Sequence, residues 1–557
     1  MSLYSESSLI VYPSGYKESK IYAQKPVNGT GDLTFSRASS ATRLNEQGLI
    51  ETASIIGSEL ILSTLINSNY DTFNEASVSG FHAIYSTSGT QRASTVDEIN
   101  FVNGKTYQVN VDVSVVSGSI PFLRVREAVA TNPTVFSGQL VDGSNVVTFT
   151  STSTFTGLLE FASSNASEYR VSNVSVKEVI TSNIPRIDYT NGCGSLLLEK
   201  QSTNLIPYSE DFSNAAWSKT NLTITSNNAI SPDGTLNASK MTDDATSGEH
   251  KIFDSLSITS GVDYTFSVFV KSNGRNFIRL RLENAGVGSG QINVWFDVLN
   301  GTVGTVGAGT AIIENYGNGW YRCIATGTTS TTSYVAQINL SNADNSVTYL
   351  GDGTSGVYLY GAQLEQSSYP TSYIISNSGT STTRLADTAS KTGLSSVIND
   401  SEGVLFAEIA ALADDGTNRQ LSLSDGSSAN NKLSIIYTST TNQIQAFVRA
   451  SGSISFNETF TLSSATSSNK IAIKWKLNDF ALWVNGTEVA TDISGSVPVG
   501  LSKLSFDDAD GTNIFFSNCQ NLMVFPSALT DEQLTDLTGT VHTTFNSLSL
   551  SLGYTIL

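Results

Sequence analysis

Apolar and polar residues alternate over many short stretches of this chain, and this alternation is the feature that most limits its fold. Residues 107–113 (YQVNVDV) and 264–270 (YTFSVFV) are two examples. They have the two-residue period of a strand with one buried face. Turn-forming pairs separate such stretches, as at Asn103-Gly104, Asp352-Gly353 and Asn485-Gly486. The pattern predicts an all-β chain of tandem antiparallel β-sandwiches, with one short helix at 530–537 that Thr530 can cap.

The charge of the chain excludes several classes of partner. Its 557 residues include 49 Asp and Glu against 30 Lys and Arg, for a formal net charge of −19. Nucleic acids and anionic membranes attract cationic surfaces, so we expect neither as a partner. No run approaches the 18 apolar residues of a spanning helix, and the N-terminus lacks the basic and apolar regions of a signal peptide.

The length predicts three or four domains, because one hydrophobic core does not serve 557 residues. A weak repeat relates 101–113 to 258–270, and it predicts two copies of one sandwich. The predicted organisation is an N-terminal attachment segment at 1–51, a first jelly-roll module at 52–180, a junction at 181–199, a second jelly-roll module at 200–375, a larger sandwich at 385–540 and a tail at 541–557.

The cysteines and histidines indicate neither a disulfide framework nor a zinc site. Cys193, Cys323 and Cys519 lie far apart, and the three histidines (His82, His250 and His542) are equally isolated. The acidic run at 507–511 is superficially similar to a calcium loop, but it lacks the alternating ligands and the final Glu of an EF-hand. We expect no cofactor, with a structural calcium ion at this turn as the alternative.

Sugar binding would require aromatic side chains that stack on pyranose rings. The candidates in the second module are Trp217, Trp320 and Tyr321, and Trp320 directly follows a glycine-containing turn. Burial is the alternative for each tryptophan, since large aromatic side chains are mostly buried. Trp295 must face away from its neighbours Val294 and Phe296 if this stretch is a strand. Trp475 and Trp483 are expected in the core.

Four charged residues fall in the predicted connections rather than in strands. They are Arg37, Arg43, Arg186 and Asp188. Buried polar groups at a domain junction must have partners. We therefore expect these residues to form ion pairs that lock the N-terminal segment to a module, within one chain or across subunits.

Several motifs resemble those of bacteriophage fibre and spike proteins, especially of phages that infect Bacteroidota, including the crAss-like phages. The motifs are TFSRASSATRLNEQGLIE at 34–51, PRIDY at 185–189, and LLLE at 196–199 followed by TNLIPYS at 203–209. The two repeated modules resemble carbohydrate-binding-module jelly rolls. The third sandwich, with ALWVNG at 481–486 and SALTDEQ at 527–533, resembles concanavalin A-like or laminin-G-like domains.

This resemblance implies a virion surface protein, a head or tail fibre assembled in the host cytoplasm. Its implied partners are copies of itself in a homotrimer, bacterial surface or mucus glycans, and a capsid or tail protein bound through the N-terminus. Residues 1–50 are then expected to pack least on the later modules, and a chain without 1–30 should still fold. A secreted bacterial adhesin is the runner-up.

A polysaccharide depolymerase is the enzymatic alternative, but we expect a protein without catalytic activity. No nucleophile elbow, phosphate loop or HExxH motif occurs, and no β-helix repeat of the kind common in depolymerising tailspikes is present. Glycosidases place two carboxyl groups roughly 5–9.5 Å apart. Glu160, Glu283 and Asp297 are candidate acids, but their positions in the sequence do not pair them.

Overall fold

The computed structural model describes residues 3–60, 76–77, 80–85, 92–94, 99–128, 133–163, 165, 167–190, 192–285, 290–427 and 429–539. The predicted tail at 541–557 and His542 lie outside these residues. Almost every regular element is a β-strand in an antiparallel sheet, which confirms the predicted all-β class of tandem sandwiches. No helix in the described ranges is long and apolar enough to span a membrane.

The chain forms two compact units. Residues 54–181 form one of them. Residues 1–53 and 182–557 form the other.

The smaller unit is a sandwich of a five-stranded and a six-stranded sheet. Alternate residues of the long strand Thr106–Gly118, such as Tyr107, Val109 and Val111, point into its core. Before this unit, the chain forms α1 Leu3–Glu6, β1 Leu9–Val11, β2 Tyr16–Lys17, β3 Lys20–Ile21, β4 Leu33–Ser36, β5 Thr42–Leu44 and β6 Ile50–Thr52. The strands of the unit are β7 Ile55–Glu59, β8 Ala76–Ser77, β9 Gly80–Tyr85, β10 Arg92–Ser94, β11 Ile99–Phe101, β12 Thr106–Gly118, β13 Phe122–Glu127, β14 Thr134–Gln139, β15 Gly143–Thr150, β16 Phe155–Ala162 and β17 Ser167–Ile180.

The second module, in the larger unit, is a sandwich of two six-stranded sheets. Their strand orders are β21-β25-β32-β27-β28-β29 and β22-β23-β34-β26-β31-β30. The junction and module strands are β18 Arg186–Asp188, β19 Ser195–Leu197, β20 Ser202–Asn204, β21 Ser218–Thr220, β22 Leu222–Ile230, β23 Leu236–Asp243, β24 Ser247–Gly248, β25 His250–Ser257, β26 Asp263–Asn273, β27 Phe277–Asn284, β28 Gly290–Asp297, β29 Thr302–Ala308, β30 Thr310–Asn315, β31 Trp320–Thr328, β32 Ser333–Ser341, β33 Tyr349–Leu350 and β34 Gly356–Glu365.

The C-terminal sandwich has an eight-stranded and a nine-stranded sheet. The predicted helix is present as α2, and Thr530 and Gln533 cap it reciprocally: each backbone N–H donates to the other's side chain. The elements are β35 Thr382–Arg384, β36 Thr388–Lys391, β37 Glu402–Ala411, β38 Arg419–Ser424, β39 Lys432–Tyr437, β40 Gln443–Ala450, β41 Ser453–Thr461, β42 Asn469–Lys476, β43 Phe480–Val484, β44 Thr487–Asp492, β45 Lys503–Ser505, β46 Ser517–Phe525 and α2 Asp531–Gly539.

The N-terminal segment is part of this C-terminal sandwich. β1 pairs with β46, and β2 to β4 extend the other sheet next to β36. The junction strands β18 and β19 join the edge of the same eight-stranded sheet. The prediction that residues 1–50 pack least on the later modules is therefore wrong, because their short apolar strands complete both sheets.

Candidate functional site

Trp217 and Trp320 are buried, with 1% and 2% of their surface exposed. The Trp320 indole N–H donates to the Ile230 carbonyl at 3.0 Å, and that of Trp217 donates to the Tyr208 carbonyl at 2.9 Å. The prediction that these rings are exposed platforms for sugars is wrong, because each indole packs its rings in a core and satisfies its N–H on a backbone carbonyl. Trp475 and Trp483 are buried as predicted.

Trp320 belongs to a small aromatic core that the N-terminal segment covers. It packs with Phe269, Tyr360 and Tyr373 from the second module and with Ile50 from β6. Tyr321 is half-buried and packs instead against the central core of the second module. Trp320 therefore offers no open aromatic face.

We expect Trp320→Phe to destabilise the protein by about 1–2 kcal/mol, because Trp320 loses its hydrogen bond to the Ile230 carbonyl and part of its packing in the aromatic core. Urea unfolding followed by fluorescence measures this loss. Tyr321→Phe is the matched control, since the Tyr321 hydroxyl has no hydrogen-bond partner among the described residues. A larger effect of the control than of Trp320→Phe would contradict the assignment of Trp320 to the core.

Arg37 and Arg186 meet two acidic residues in a buried ion cluster. Arg37 lies 2.8 Å from Asp387, and Arg186 forms ion pairs with both Asp387 and Glu199. Arg384 lies 2.8 Å from Glu199. These five residues, the junction ion cluster, join the N-terminal segment, the junction and the strand pair β20–β35 within one chain.

The charges in this cluster shift each other's pKa. Burial alone would raise the pKa of Glu199, but Arg384 and Arg186 hold it at about 2. Burial lowers the pKa of Arg37 to about 10 despite the opposing effect of Asp387. Glu199 and Arg37 are therefore both charged at neutral pH.

Arg43 and Asp188 hold the β5–β6 hairpin on the junction. Arg43 forms an ion pair with Glu51 at 2.9 Å. Asp188 accepts hydrogen bonds from the backbone N–H of Leu44 at 2.8 Å and of Thr190 at 3.0 Å. All four predicted junction residues thus have partners within their own chain.

The second module also carries a surface of polar side chains. Its side chains lie on the outer face of the sheet β21-β25-β32-β27-β28-β29, in two rows that cross four strands. One row is Lys251, Asn339, Arg279 and Trp295; the next is Phe253, Gln337, Arg281 and Asn293. With Glu283, these residues form what we call the polar face.

Strand alternation produces this face. Ile278, Leu280 and Leu282 of β27 are fully buried in the core of the module. Arg279, Arg281 and Glu283 therefore point to the opposite side. Trp295 behaves as the alternation predicts, since Val294 and Phe296 are in the core and Trp295 is not.

Ion pairs arrange the charged side chains of the polar face. Glu249 lies 2.6 Å from Lys251 and 3.1 Å from Arg279, and Arg281 lies 3.0 Å from Glu283. The Arg279 guanidinium is 5.3 Å from the centre of the Trp295 ring, and the Trp295 indole N–H donates to the Ser346 carbonyl at 3.1 Å. Trp295 is therefore a support for Arg279 rather than an exposed ring.

Five buried polar atoms of the polar face have no hydrogen-bond partner within the described residues. They are Arg279 Nε, Asn293 Oδ1, Gln337 Oε1, and both Nδ2 and Oδ1 of Asn339. Buried polar atoms are normally paired, so a group of five on adjacent strands requires an explanation. Two are donors and three are acceptors, which suits a ligand that offers both.

Apart from Glu283 and Trp295, the residues of the polar face were not among the sequence candidates, although a signal for them exists. The stretch 278–283 (IRLRLE) alternates strictly, and Gln and Asn occupy alternate positions in 335–339 (VAQIN). Amide side chains are unusual in strand interiors. Two strands with polar residues at their outward positions thus indicate a polar sheet face.

The three candidate acids have local structural roles. Glu160 forms ion pairs with Arg124 and Arg126. Glu283 and Asp297 lie at opposite ends of the β27–β28 hairpin, about 20 Å apart at the usual rise per residue. That separation is too large for a glycosidase pair.

Carboxylates of the acidic turn at 507–511 form an ion pair and hydrogen bonds with nearby residues. Asp508 lies 3.6 Å from Lys432, and Asp507 accepts a hydrogen bond from the Ala509 backbone. Lys503 donates to the Ala509 carbonyl at 2.6 Å. No group of three or more metal-ligating side chains occurs in the part of the chain that the structure describes.

Comparison with solved structures gives distant likenesses. No family model and no curated protein sequence matches the chain. The carbohydrate-binding module (CBM40) of a Ruminococcus gnavus sialidase is 15% identical, with a TM-score of 0.23, over 25% of this chain and 84% of that one. A tandem CBM22 domain of Paenibacillus barcinonensis Xyn10C is 12% identical, with a TM-score of 0.21, over 56% and 98%.

A leech intramolecular trans-sialidase is 18% identical, with a TM-score of 0.21, over 26% of this chain. The match spans about a quarter of the leech enzyme, 24% of its length. Likenesses at these scores carry no information about what this chain binds.

Proposed function

We propose that the polar face of the second module binds carbohydrate. The observation that carries this proposal is the group of five unpartnered buried polar atoms on neighbouring strands. Each sugar hydroxyl can donate and accept a hydrogen bond, so a row of hydroxyls can pair with amide oxygens, amide N–H groups and the Arg279 N–H together. The half-buried ring of Phe253 in the second row adds apolar contact.

The shape and charge of the face favour an uncharged glycan chain. Four strands span about 15 Å across the sheet, which is wide enough for more than one sugar ring. Lys251 and Arg279 are paired with Glu249, and Arg281 is paired with Glu283. Because these cations already have counterions, the face is not arranged to capture a polyanion.

We further propose that the protein is a structural, non-catalytic fibre on a virion surface, attached to the capsid or tail and built as a homotrimer. The resemblance of residues 34–51, 185–189 and 196–209 to phage fibre proteins supports this proposal, as does the resemblance of the last domain to laminin-G-like folds. Several copies per particle would raise avidity by about 10²–10⁴-fold over one site. Native mass spectrometry tests whether the protein is a homotrimer, and antibody labelling of virions tests where on the particle it lies.

We expect Asn339→Leu to abolish glycan binding while leaving the fold more stable. Asn339 is 1% exposed, and neither of its side-chain polar atoms has a partner in the described residues. Leucine removes this desolvation cost, so stability should rise by about 1–3 kcal/mol, while glycan binding should fall below detection because the donor and the acceptor of Asn339 are both lost. A glycan array and urea unfolding of the full chain measure the two effects.

Asn457→Leu is the control, because Asn457 is an exposed outward residue on β41 of the other sandwich. It should leave glycan binding unchanged. Equal binding by wild type and Asn339→Leu would refute the assignment of the polar face. Release of reducing ends from a bound polysaccharide would refute the non-catalytic proposal.

A further inference from the structure

An open cavity lies at the meeting point of the N-terminal segment, the junction, the second module and the C-terminal sandwich. This junction cavity has a volume of about 340 Å³. Arg43, Asp188, Glu314, Tyr316 and Arg322 line it, with Ile312 at its rim. The volume lies at the lower end of the range for small-molecule sites, about 300–1,000 Å³. We infer that the junction cavity binds a single neutral sugar residue, such as the end of a glycan chain.

Register and packing position the polar groups of the cavity. Glu314 of β30 is directly opposite Arg322 of β31. The Arg322 guanidinium lies 5.4 Å from the Phe269 ring, and the Tyr316 ring meets Phe269 edge-on at 4.8 Å. Arg322 Nη2 donates to Ser267 and to the Thr371 carbonyl. These contacts fix Arg322 and Tyr316 before any ligand enters.

Some polar groups that line the cavity already have hydrogen-bond or ion-pair partners, and others can still bind a ligand. Arg43 and Asp188 already hold the β5–β6 hairpin. Arg322 is 4% exposed, yet its Nε has no partner among the described residues. The Glu314 carboxylate interacts with the charge of Arg322 but accepts no hydrogen bond from the described residues. Burial raises the pKa of Glu314.

This set of groups matches a sugar hydroxyl pair better than an ion. Arg322 supplies a donor, Glu314 supplies acceptors, and Tyr316 and Phe269 supply aromatic surface. The charged lining residues are Arg43 and Arg322 against Asp188, Glu199 and Glu314, so the lining has no excess of positive charge that would favour an anion. The limited volume selects one ring rather than a chain.

The inference is independent of the polar face, because the cavity shares no residue with it. The test therefore uses full-length Asn339→Leu, in which the polar face is disabled. We expect at least one of methyl glucoside, methyl galactoside, methyl mannoside and N-acetylglucosamine to bind it saturably at one site per chain. Isothermal titration and ligand-observed NMR measure binding, and a rise in unfolding temperature with sugar concentration reports linkage to folding.

Three further substitutions in the same background locate the site. Glu314→Leu should weaken sugar binding at least about tenfold, whereas Glu314→Gln, which keeps an acceptor, should weaken it less. Ile312→Trp should block entry, since Ile312 is 49% exposed at the rim, and it leaves the polar groups intact. Unfolding temperatures without sugar show whether each variant is folded.

Two results would overturn the inference. One is the absence of binding by all four sugars at about 10 mM, ten times a Kd of 1 mM, which would mean that the cavity holds only water. The other is unchanged binding in folded Glu314→Leu and Ile312→Trp. Loss of polysaccharide binding in Asn339→Leu with retained monosaccharide binding would support both sites separately.

Discussion

Deleting residues 1–30 is expected to unfold the C-terminal sandwich. Leu9, Ile10, Val11 and Ile21 are each at most 4% exposed, and all four pack in the cores of that sandwich. Burial of one such side chain contributes about 1.5–3 kcal/mol. Four of them therefore contribute about 6–12 kcal/mol, which is comparable with the whole stability of a typical domain. The deletion also removes β1 from its pairing with β46.

Circular dichroism melting and limited proteolysis of the deletion variant measure this effect. We expect loss of the cooperative transition of the C-terminal sandwich and rapid cleavage within 385–539. Single substitutions should have smaller effects on the free energy of unfolding. Leu9→Ala should lower it by about 2–5 kcal/mol, whereas Val27→Ala should change it little because Val27 is 90% exposed. A deletion variant that melts like wild type would show that these strands are dispensable.

Unfolding of the deletion variant would also argue against residues 1–30 as the segment that attaches the protein to a virion. A segment that completes two sheets of its own chain is not a free arm for another protein. An attachment surface would then lie on the assembled sandwich, and a loss of incorporation after the deletion would report unfolding as much as lost attachment.

The sandwiches could be predicted because their signal is local. Alternation over 107–113 or 264–270 reflects one buried face of a strand, and Asp-Gly or Asn-Gly turns mark where strands reverse. The helix α2 could be predicted for the same reason, since Thr530 and Gln533 are only three residues apart.

The place of the N-terminal segment could not be predicted, because its partners are distant in sequence. β1 has only three residues and pairs with β46 more than 500 residues later. A run of three apolar residues is too short to show the periodicity that would distinguish a strand from a loop. Nothing local indicates which sheet edge such a strand would join.

The polar face and Trp320 show a second limit of sequence reasoning. Alternation tells which residues of a strand share a side, but not whether that side is covered. Trp320 is outside the central core of its module and is nevertheless buried, because β6 supplies Ile50 over it. Asn339 and Arg279 also leave the core side, and they are nevertheless only 1% and 4% exposed.

Asp387→Ala is expected to destabilise the larger unit by about 5 kcal/mol or more. Asp387 is fully buried and is paired with both Arg37 and Arg186, and it also accepts a hydrogen bond from the Glu199 backbone at 2.8 Å. Breaking one buried ion pair typically costs about 3–5 kcal/mol, since the remaining charge stays buried without its partner. Here a single substitution leaves two guanidinium groups, Arg37 and Arg186, each short of a counterion.

Urea unfolding of the full chain measures the loss, and Glu402→Ala is the control. Glu402 pairs with Lys476 at 3.2 Å on the surface, where 51% of the lysine side chain is exposed, so its removal should cost less than about 1 kcal/mol. Similar losses in the two variants would mean that the junction ion cluster does not hold the N-terminal segment to the rest of the chain.

The same cluster predicts a dependence of stability on pH. The pKa of Glu199 is held at about 2 in the folded protein, below its ordinary value of 4.5. A carboxyl group whose pKa is depressed on folding stabilises the protein fully above its unfolded pKa, and this contribution disappears as the pH falls through the folded pKa. The free energy of unfolding should therefore fall between about pH 4.5 and pH 2 in wild type. Glu199→Gln should flatten this part of the profile; an unchanged slope would show that Glu199 is not the group that titrates.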